Sequence, residues 1–150
     1  MNTPLLIVIA VLVLFSAFFS SAETAFSSLN KVRLKSSETD ENKKKIEKTL
    51  VLAENYDMVL STILIGNNIV NIAASSIATL FFTGVLGDNS DLAATVSTIV
   101  MTVVVLIFGE ITPKTMAKER AEKFAVFVTP AIRFFVFVFY CNYSCCYFIM

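Results

Sequence analysis

The chain has 150 residues, of which 56% are hydrophobic and 16% are charged, with a mean hydropathy of +0.74. A soluble domain carries roughly 25% charged residues, so this composition excludes an ordinary soluble fold and predicts an integral membrane protein. The 12 basic and 12 acidic residues cancel, which removes the electrostatic basis for binding nucleic acid. The chain contains no His, which excludes imidazole-based catalysis and His-ligated zinc, and we predict that it is not an enzyme.

Four apolar segments follow one another along the chain. They occupy residues 4–22, 58–86, 92–109 and 124–140. A helix needs about 20 residues to cross a bilayer, so we predict that the first three segments are transmembrane helices. The fourth is short and contains Arg133, which favours a position in the membrane interface with the guanidinium reaching towards water.

The distribution of basic residues predicts the orientation in the membrane. Residues 1–3 carry no positive charge, so the first segment is interpreted as a retained span and not as a signal peptide. All 12 Lys and Arg lie within residues 31–48 and 114–133, which three spans place on one side, whereas the turn Gly87–Asp91 is acidic. The positive-inside rule then predicts an N-terminus outside and basic loops in the cytoplasm.

The first basic stretch is predicted to form a helical hairpin under the membrane. Residues 32–56 have a predominantly helical pattern, with a break at Ser36–Asp40. After the break, Ile46, Leu50 and Ala53 recur at helical spacing.

Three polar clusters interrupt the apolar segments: Ser20–Thr24, Gly66–Asn71 and Gly109–Lys114. Each costs free energy in lipid unless it faces protein, water or an ion. One interpretation is hydrogen bonding between helices. The other is an ion site, and the inventory of hydroxyls, amides, carbonyls and carboxylates suits a hard cation such as Mg²⁺ or Na⁺. Because all three clusters lie towards the cytoplasmic side, we favour the ion site.

Local geometry adds detail to two of these clusters. Asn67 and Asn71 are four residues apart, so their amides share one helix face. Glu110 is the first carboxylate at the cytoplasmic end of the third span. Pro113 cannot donate to the carbonyl of Gly109, and we expect it to distort the helix there.

The same clusters carry a family resemblance, in the strings FFSSAETAFSSLNKVRLK, IGNNIVNIAAS and FGEITPKTMAKERAEKFA. Over about residues 4–135 the sequence resembles the transmembrane domain of the CNNM/CorC (cyclin M-like, haemolysin-related) divalent metal transport mediators. The resemblance implies an all-α membrane protein with three transmembrane helices, a cytoplasmic helical hairpin and a juxtamembrane belt helix. It also implies a homodimer in a lipid bilayer, which we place in a bacterial plasma membrane.

The resemblance further implies a function and a set of site residues. The function is Mg²⁺ efflux coupled to Na⁺ influx, through a dehydrated all-oxygen site that faces the cytoplasm. The alternative, which the residues leave open, is a non-transporting membrane module that senses Mg²⁺ or regulates partners. Matched to the family motifs, the metal site comprises Ser20, Ser21, Gly66, Asn67, Asn71, Gly109 and Glu110, with Pro113 distorting the helix.

The sequence departs from the family pattern near its end. Family members continue into a pair of cytoplasmic CBS domains, which we expect to be absent here. We expect residues 1–135 to form the transmembrane domain and residues 136–150 to form an atypical tail. The tail contains Cys141, Cys145 and Cys146, which are too closely spaced for a disulfide framework.

Overall fold

The computed structural model describes residues 3–86 and 90–147, and the side chains of 3–86 and 91–139. Within these residues the structure is helical and contains no strand, which confirms the all-α class. The elements in chain order are α1 (Thr3–Ser27), α2 (Lys31–Ser36), α3 (Lys43–Glu54), α4 (Tyr56–Leu86), α5 (Ser90–Val104), a π-helical segment (Val105–Ile111), α6 (Thr112–Glu119) and α7 (Ala121–Tyr147).

Three stretches of helix are long and apolar enough to cross a membrane: Thr3–Ser27, Tyr56–Leu86 and Asp91–Glu119. Their outer surfaces are largely hydrophobic; for example, Leu14 and Ile72 are 69% and 68% exposed. Such surface is unfavourable in water and favourable in lipid. The prediction of three transmembrane helices is therefore confirmed, and the protein is integral to a membrane.

The connections between helices fall near the expected positions. α2 ends at Ser36 and α3 begins at Lys43, on either side of the predicted break. The side chain of Asn30 caps α2 by accepting from the backbone N–H of Arg33 at 3.0 Å. Of the predicted acidic turn at 87–91, residues 87–89 lie outside the described residues. The cytoplasmic location of α2 and α3 stays a prediction.

The chain forms two compact units, and the first comprises Met1–Ser21 with Asn67–Thr115. Its core brings together α1, α4 and α5 through four buried residues: Val13, Ala74, Ala78 and Met101. The two alanines lie four residues apart, and side chains this small let neighbouring helices pack closely. This unit contains all but one of the predicted site residues.

The second unit comprises Ala22–Gly66 with Met116–Met150, and in it α3 packs against α7. The Oγ1 atoms of Thr49 and Thr129 lie 2.8 Å apart and are both buried. Each hydroxyl also lies within hydrogen-bonding distance of the backbone carbonyl four residues earlier. The two hydroxyl protons therefore serve three contacts: one between the threonines and one from each threonine to its own helix. An ion pair of 3.8 Å between Arg33 and Glu122 links α2 to α7 within this unit.

Candidate functional site

The first unit contains a close contact between α1 and the π-helical segment. Ser16 is fully buried in α1, and its Oγ donates to Asn67 Oδ1 on α4 at 3.1 Å. A Cβ atom added to Gly109 would lie 2.9 Å from Ser16 Oγ and 3.4 Å from Ser16 Cβ. Only glycine therefore fits at position 109 without a shift of its neighbours.

The π-helical segment lies immediately ahead of Pro113. Within it the hydrogen bonds span five residues, and the N–H of Thr112 donates to the carbonyl of Ile107 at its end. Pro113 has no N–H, so the bond that an α-helix would make to the carbonyl of Gly109 cannot form. The helix widens over Val105–Ile111, and this wider turn carries both Gly109 and Glu110.

Beside this segment is a cavity of about 240 Å³ between α4 and the third span. Four of its lining residues are polar and offer oxygen atoms: Asn71, Ser75, Thr102 and Glu110. The remaining wall is apolar and consists of Met101, Val105 and Leu106.

The hydrogen-bonding state of these oxygens favours a positively charged occupant. Asn71 Oδ1 is buried and has no hydrogen-bond partner among the described residues, a state that costs free energy. Thr102 Oγ1 donates its proton to the carbonyl of Thr98 at 2.7 Å, which leaves its lone pairs as acceptors. Glu110 makes no ion pair within the described chain. The cavity therefore presents acceptor oxygens and one formal negative charge.

A cation held here would rely on a single carboxylate. Among the described side chains no three His, Cys, Asp or Glu residues cluster. Carboxylate, amide and hydroxyl oxygens are ligands that Mg²⁺ accepts, and Mg²⁺ usually keeps several water molecules as well. The donor set therefore fits a partly hydrated hard cation better than a soft metal.

The structure brings some of the predicted site residues together and separates others. Asn71 and Glu110 line the same cavity. Asn67 and Gly109 do not line the cavity, and both contact Ser16 instead. The amide oxygen of Asn67 is occupied by the Ser16 hydroxyl, so in this arrangement it supports the wall of the site.

The two predicted serines and Gly66 lie elsewhere. Ser20 and Ser21 are buried on α1, at 0% and 6% exposure, and neither is among the described residues that line the cavity. Gly66 is buried and belongs to the second unit.

Three residues of the site were missed by the sequence analysis, although helical spacing could have pointed to two of them. Ser16 precedes Ser20 by four residues, and Ser75 follows Asn71 by four. Residues four apart lie on one helix face, so each continues a polar face that the prediction had begun. The third residue, Thr102, gave no such signal, because it lies in a stretch rich in threonine.

Comparison with known proteins identifies a family that this sequence matches. A family model described as the Cyclin M transmembrane N-terminal domain (CNNM) matches residues 7–145, nearly the whole chain. The matched region includes every predicted site residue, the second and third spans, and all but the first four residues of the first span.

Curated relatives come from bacteria and plants. A UPF0053 protein of Haemophilus influenzae is 41% identical over 140 residues, covering 92% of this chain and 32% of the relative. The UPF0053 inner membrane protein YfjD of Escherichia coli is 40% identical over 112 residues, covering 73% of this chain and 25% of the relative. A chloroplastic DUF21 domain-containing protein of Arabidopsis thaliana is 34% identical over 134 residues, covering 89% of this chain and 20% of the relative. The chain spans about a third or less of the length of these relatives.

Proposed function

We propose that this chain, which belongs to the cyclin M transmembrane N-terminal domain (CNNM) family, moves divalent cations, foremost Mg²⁺, across a membrane. The family is a membrane domain of transporter-like proteins and not an enzyme family. We propose specifically that the protein exports Mg²⁺ in exchange for Na⁺ that enters the cell. The membrane is proposed to be a bacterial plasma membrane, with the basic loops in the cytoplasm.

The observation that carries the proposal is the unpartnered Oδ1 of Asn71 in the same cavity as the carboxylate of Glu110. A buried acceptor without a donor is costly, and a carboxylate at membrane depth is costly too. One divalent cation would satisfy both oxygens at once. Since one water takes roughly 30 Å³ in the liquid, the cavity of about 240 Å³ has room for a cation with several waters.

Each residue has a proposed role in this site. Glu110 supplies the charge, and Asn71 and Thr102 supply neutral oxygens that fix the geometry. Ser16 and Gly109 hold the π-helical segment close to α1, which positions the neighbouring carboxylate. The family motifs add Ser20 and Ser21 as further candidate oxygen donors on α1.

Mg²⁺ binding tests the site directly. Glu110→Gln is nearly isosteric and removes the formal charge, so we expect it to keep the fold and to weaken Mg²⁺ binding at least about tenfold, which is about 1.4 kcal/mol. Glu119→Gln, at the exposed end of α6, removes a charge of the same type and should bind like the parent. Isothermal titration of the purified proteins measures both. Equal affinity in the parent and in Glu110→Gln would contradict the ion site and would support the alternative, in which the polar clusters form hydrogen bonds between helices.

Flux separates transport from sensing. Proteoliposomes loaded with a Mg²⁺-sensitive dye should show Mg²⁺ movement that accelerates when a Na⁺ gradient is imposed, and Glu110→Gln should abolish the acceleration. Binding without flux in the parent protein would instead support the sensing or regulatory module.

We propose that the functional form is a homodimer. Several small residues follow the amide cluster on α4, where they permit close approach of a second helix. They include Ala73, Ser75 and Ser76, of which the two serines are exposed on the described protomer. The mass measured by light scattering in mild detergent should be that of two chains across a range of concentrations. A monomeric mass at every concentration would contradict the proposal.

A further inference from the structure

A larger cavity, of about 970 Å³, lies between α3 and α7 within the second unit. Its wall combines basic and aromatic side chains, and all but two of its lining residues come from α7. They are Lys45, Lys48, Lys123, Val126, Phe127, Thr129, Pro130, Arg133, Phe134 and Phe137.

Four cations face this cavity, and no carboxylate is among its described lining residues. Lys45 and Lys48 are three residues apart on α3, so they share a helix face. Lys123 and Arg133 lie on α7, and none of the four takes part in an ion pair within the described chain. The cavity therefore carries an uncompensated positive charge.

Most of the remaining wall is apolar, and its phenylalanine side chains are exposed. Phe127, Phe134 and Phe137 are 73%, 62% and 67% exposed, and their spacing of seven and three residues places them on one face of α7. An exposed aromatic face of this kind is unfavourable in water. In a membrane protein it suits acyl chains, while Lys and Arg stems extend towards the headgroups.

The wall is held in shape from behind. Thr129 lines the cavity and is buried, and its hydroxyl lies 2.8 Å from that of Thr49. This contact fixes α3 against α7 at the level of the cations. The basic and aromatic parts are thus kept side by side.

We propose that this cavity binds an anionic phospholipid, with the headgroup phosphate among the four cations and the upper acyl chain against the phenylalanine rings. A water-soluble phosphate compound would use the cations and leave the rings exposed. A zwitterionic lipid would cover the rings and leave the positive charge without a counterpart. An anionic lipid meets both requirements, and each Lys or Arg near an anionic surface adds roughly a fivefold preference.

A single tryptophan can report the lipid that occupies the cavity. The chain contains no Trp, and Phe134 is exposed enough to be replaced by a larger ring. Phe134→Trp in the full chain is reconstituted into vesicles that contain dibrominated phosphatidylglycerol or dibrominated phosphatidylcholine at matched mole fractions. We expect phosphatidylglycerol to reach half-maximal quenching at a mole fraction at least about fivefold lower. Raising the salt from low to high concentration should reduce the difference.

Substitution of the cations shows whether the preference belongs to the cavity. In the same tryptophan background, Lys45→Gln, Lys48→Gln, Lys123→Gln and Arg133→Gln are combined. The matched control combines Lys31→Gln, Lys35→Gln, Lys44→Gln and Lys118→Gln, which removes the same charge away from the cavity. Circular dichroism and elution as a single species confirm that both variants are folded.

The outcomes are distinct. Loss of the preference in the cavity variant and its retention in the control would support the proposal. Equal quenching by the two lipids, or an equal loss of preference in both variants, would overturn it. So would full displacement of the anionic lipid by millimolar inorganic phosphate, which would assign the cavity to a soluble ligand. None of these results depends on Mg²⁺ binding, so they leave the proposed function unaffected.

Discussion

Gly109 packs against Ser16 so closely that a Cβ atom on the glycine would lie 2.9 Å from the serine Oγ. The same Oγ donates to Asn67 Oδ1, so one hydroxyl group joins α1, α4 and the π-helical segment. Glu110 follows the glycine directly and lines the cavity. The position of the proposed charged ligand therefore depends on the fit of two small residues on different helices.

Gly109→Ala should destabilise the protein. The added methyl group has to displace buried Ser16, and overpacking of this kind costs typically about 1–3 kcal/mol. Thermal unfolding in detergent, followed by circular dichroism, measures the loss. Because the carboxylate next to position 109 would move with the backbone, Mg²⁺ affinity should fall in the same variant.

A double-mutant cycle checks the cause. Ser16→Ala removes the oxygen at 2.9 Å and leaves the Cβ at 3.4 Å, which is an ordinary van der Waals separation. Gly109→Ala combined with Ser16→Ala should therefore be more stable than the sum of the two single effects predicts. Additive effects would contradict a direct clash between these residues.

Asn71 and Asn67 should respond differently to replacement by alanine. Asn71 Oδ1 has no hydrogen-bond partner among the described residues, so Asn71→Ala should leave stability nearly unchanged and weaken Mg²⁺ binding about tenfold. Asn67→Ala breaks the bond with Ser16, so it should lower stability by about 1 kcal/mol and weaken binding less. Titration with Mg²⁺ and thermal unfolding of each variant separate the two roles, and the reverse pattern would exchange them.

Thr102→Val tests a ligand that the sequence analysis did not identify. Valine has almost the shape of threonine but lacks Oγ1, so the helix should persist while Mg²⁺ affinity falls severalfold. Thr98→Val is the matched control, because its hydroxyl also donates to a carbonyl four residues earlier and does not line the cavity. If the two variants bind Mg²⁺ equally, Thr102 is not a ligand.

The orientation can be read by cysteine labelling. Cys141, Cys145 and Cys146 are first replaced by serine, and single cysteines are then introduced as Asp88→Cys or Lys44→Cys. On intact cells an impermeant maleimide should label position 88, because the acidic turn is predicted to lie outside. Position 44 should react only after permeabilisation, and the opposite result would invert the topology.

The membrane-spanning segments could be predicted from the sequence because hydropathy over about 20 residues is enough to determine them. The place of Thr102 in the site could not be predicted in this way. Many Ser and Thr hydroxyls in these helices donate to the carbonyl four residues earlier, as Thr62, Thr83 and Thr95 do. From sequence, Thr102 is indistinguishable from these, since only the neighbouring helix determines whether its lone pairs face a cavity.

The basic cavity illustrates the same limit. The clustering of Lys and Arg in two stretches predicts an orientation from the sequence alone. The cavity between α3 and α7 depends on a contact between residues far apart in the chain, such as Thr49 and Thr129. Local patterns of charge and hydropathy do not contain that information.

The π-helical segment makes the number of residues in the third span as important as their identity. Its hydrogen bonds span five residues where an α-helix spans four, so Val105–Ile111 holds one more residue than regular helix would need. A single deletion within Val105–Ile111 would remove this extra residue, and Pro113 alone would then interrupt the α-helical hydrogen bonds. The helix on either side would keep its phase, so the loss of one residue would be confined to the wide turn that carries Gly109 and Glu110.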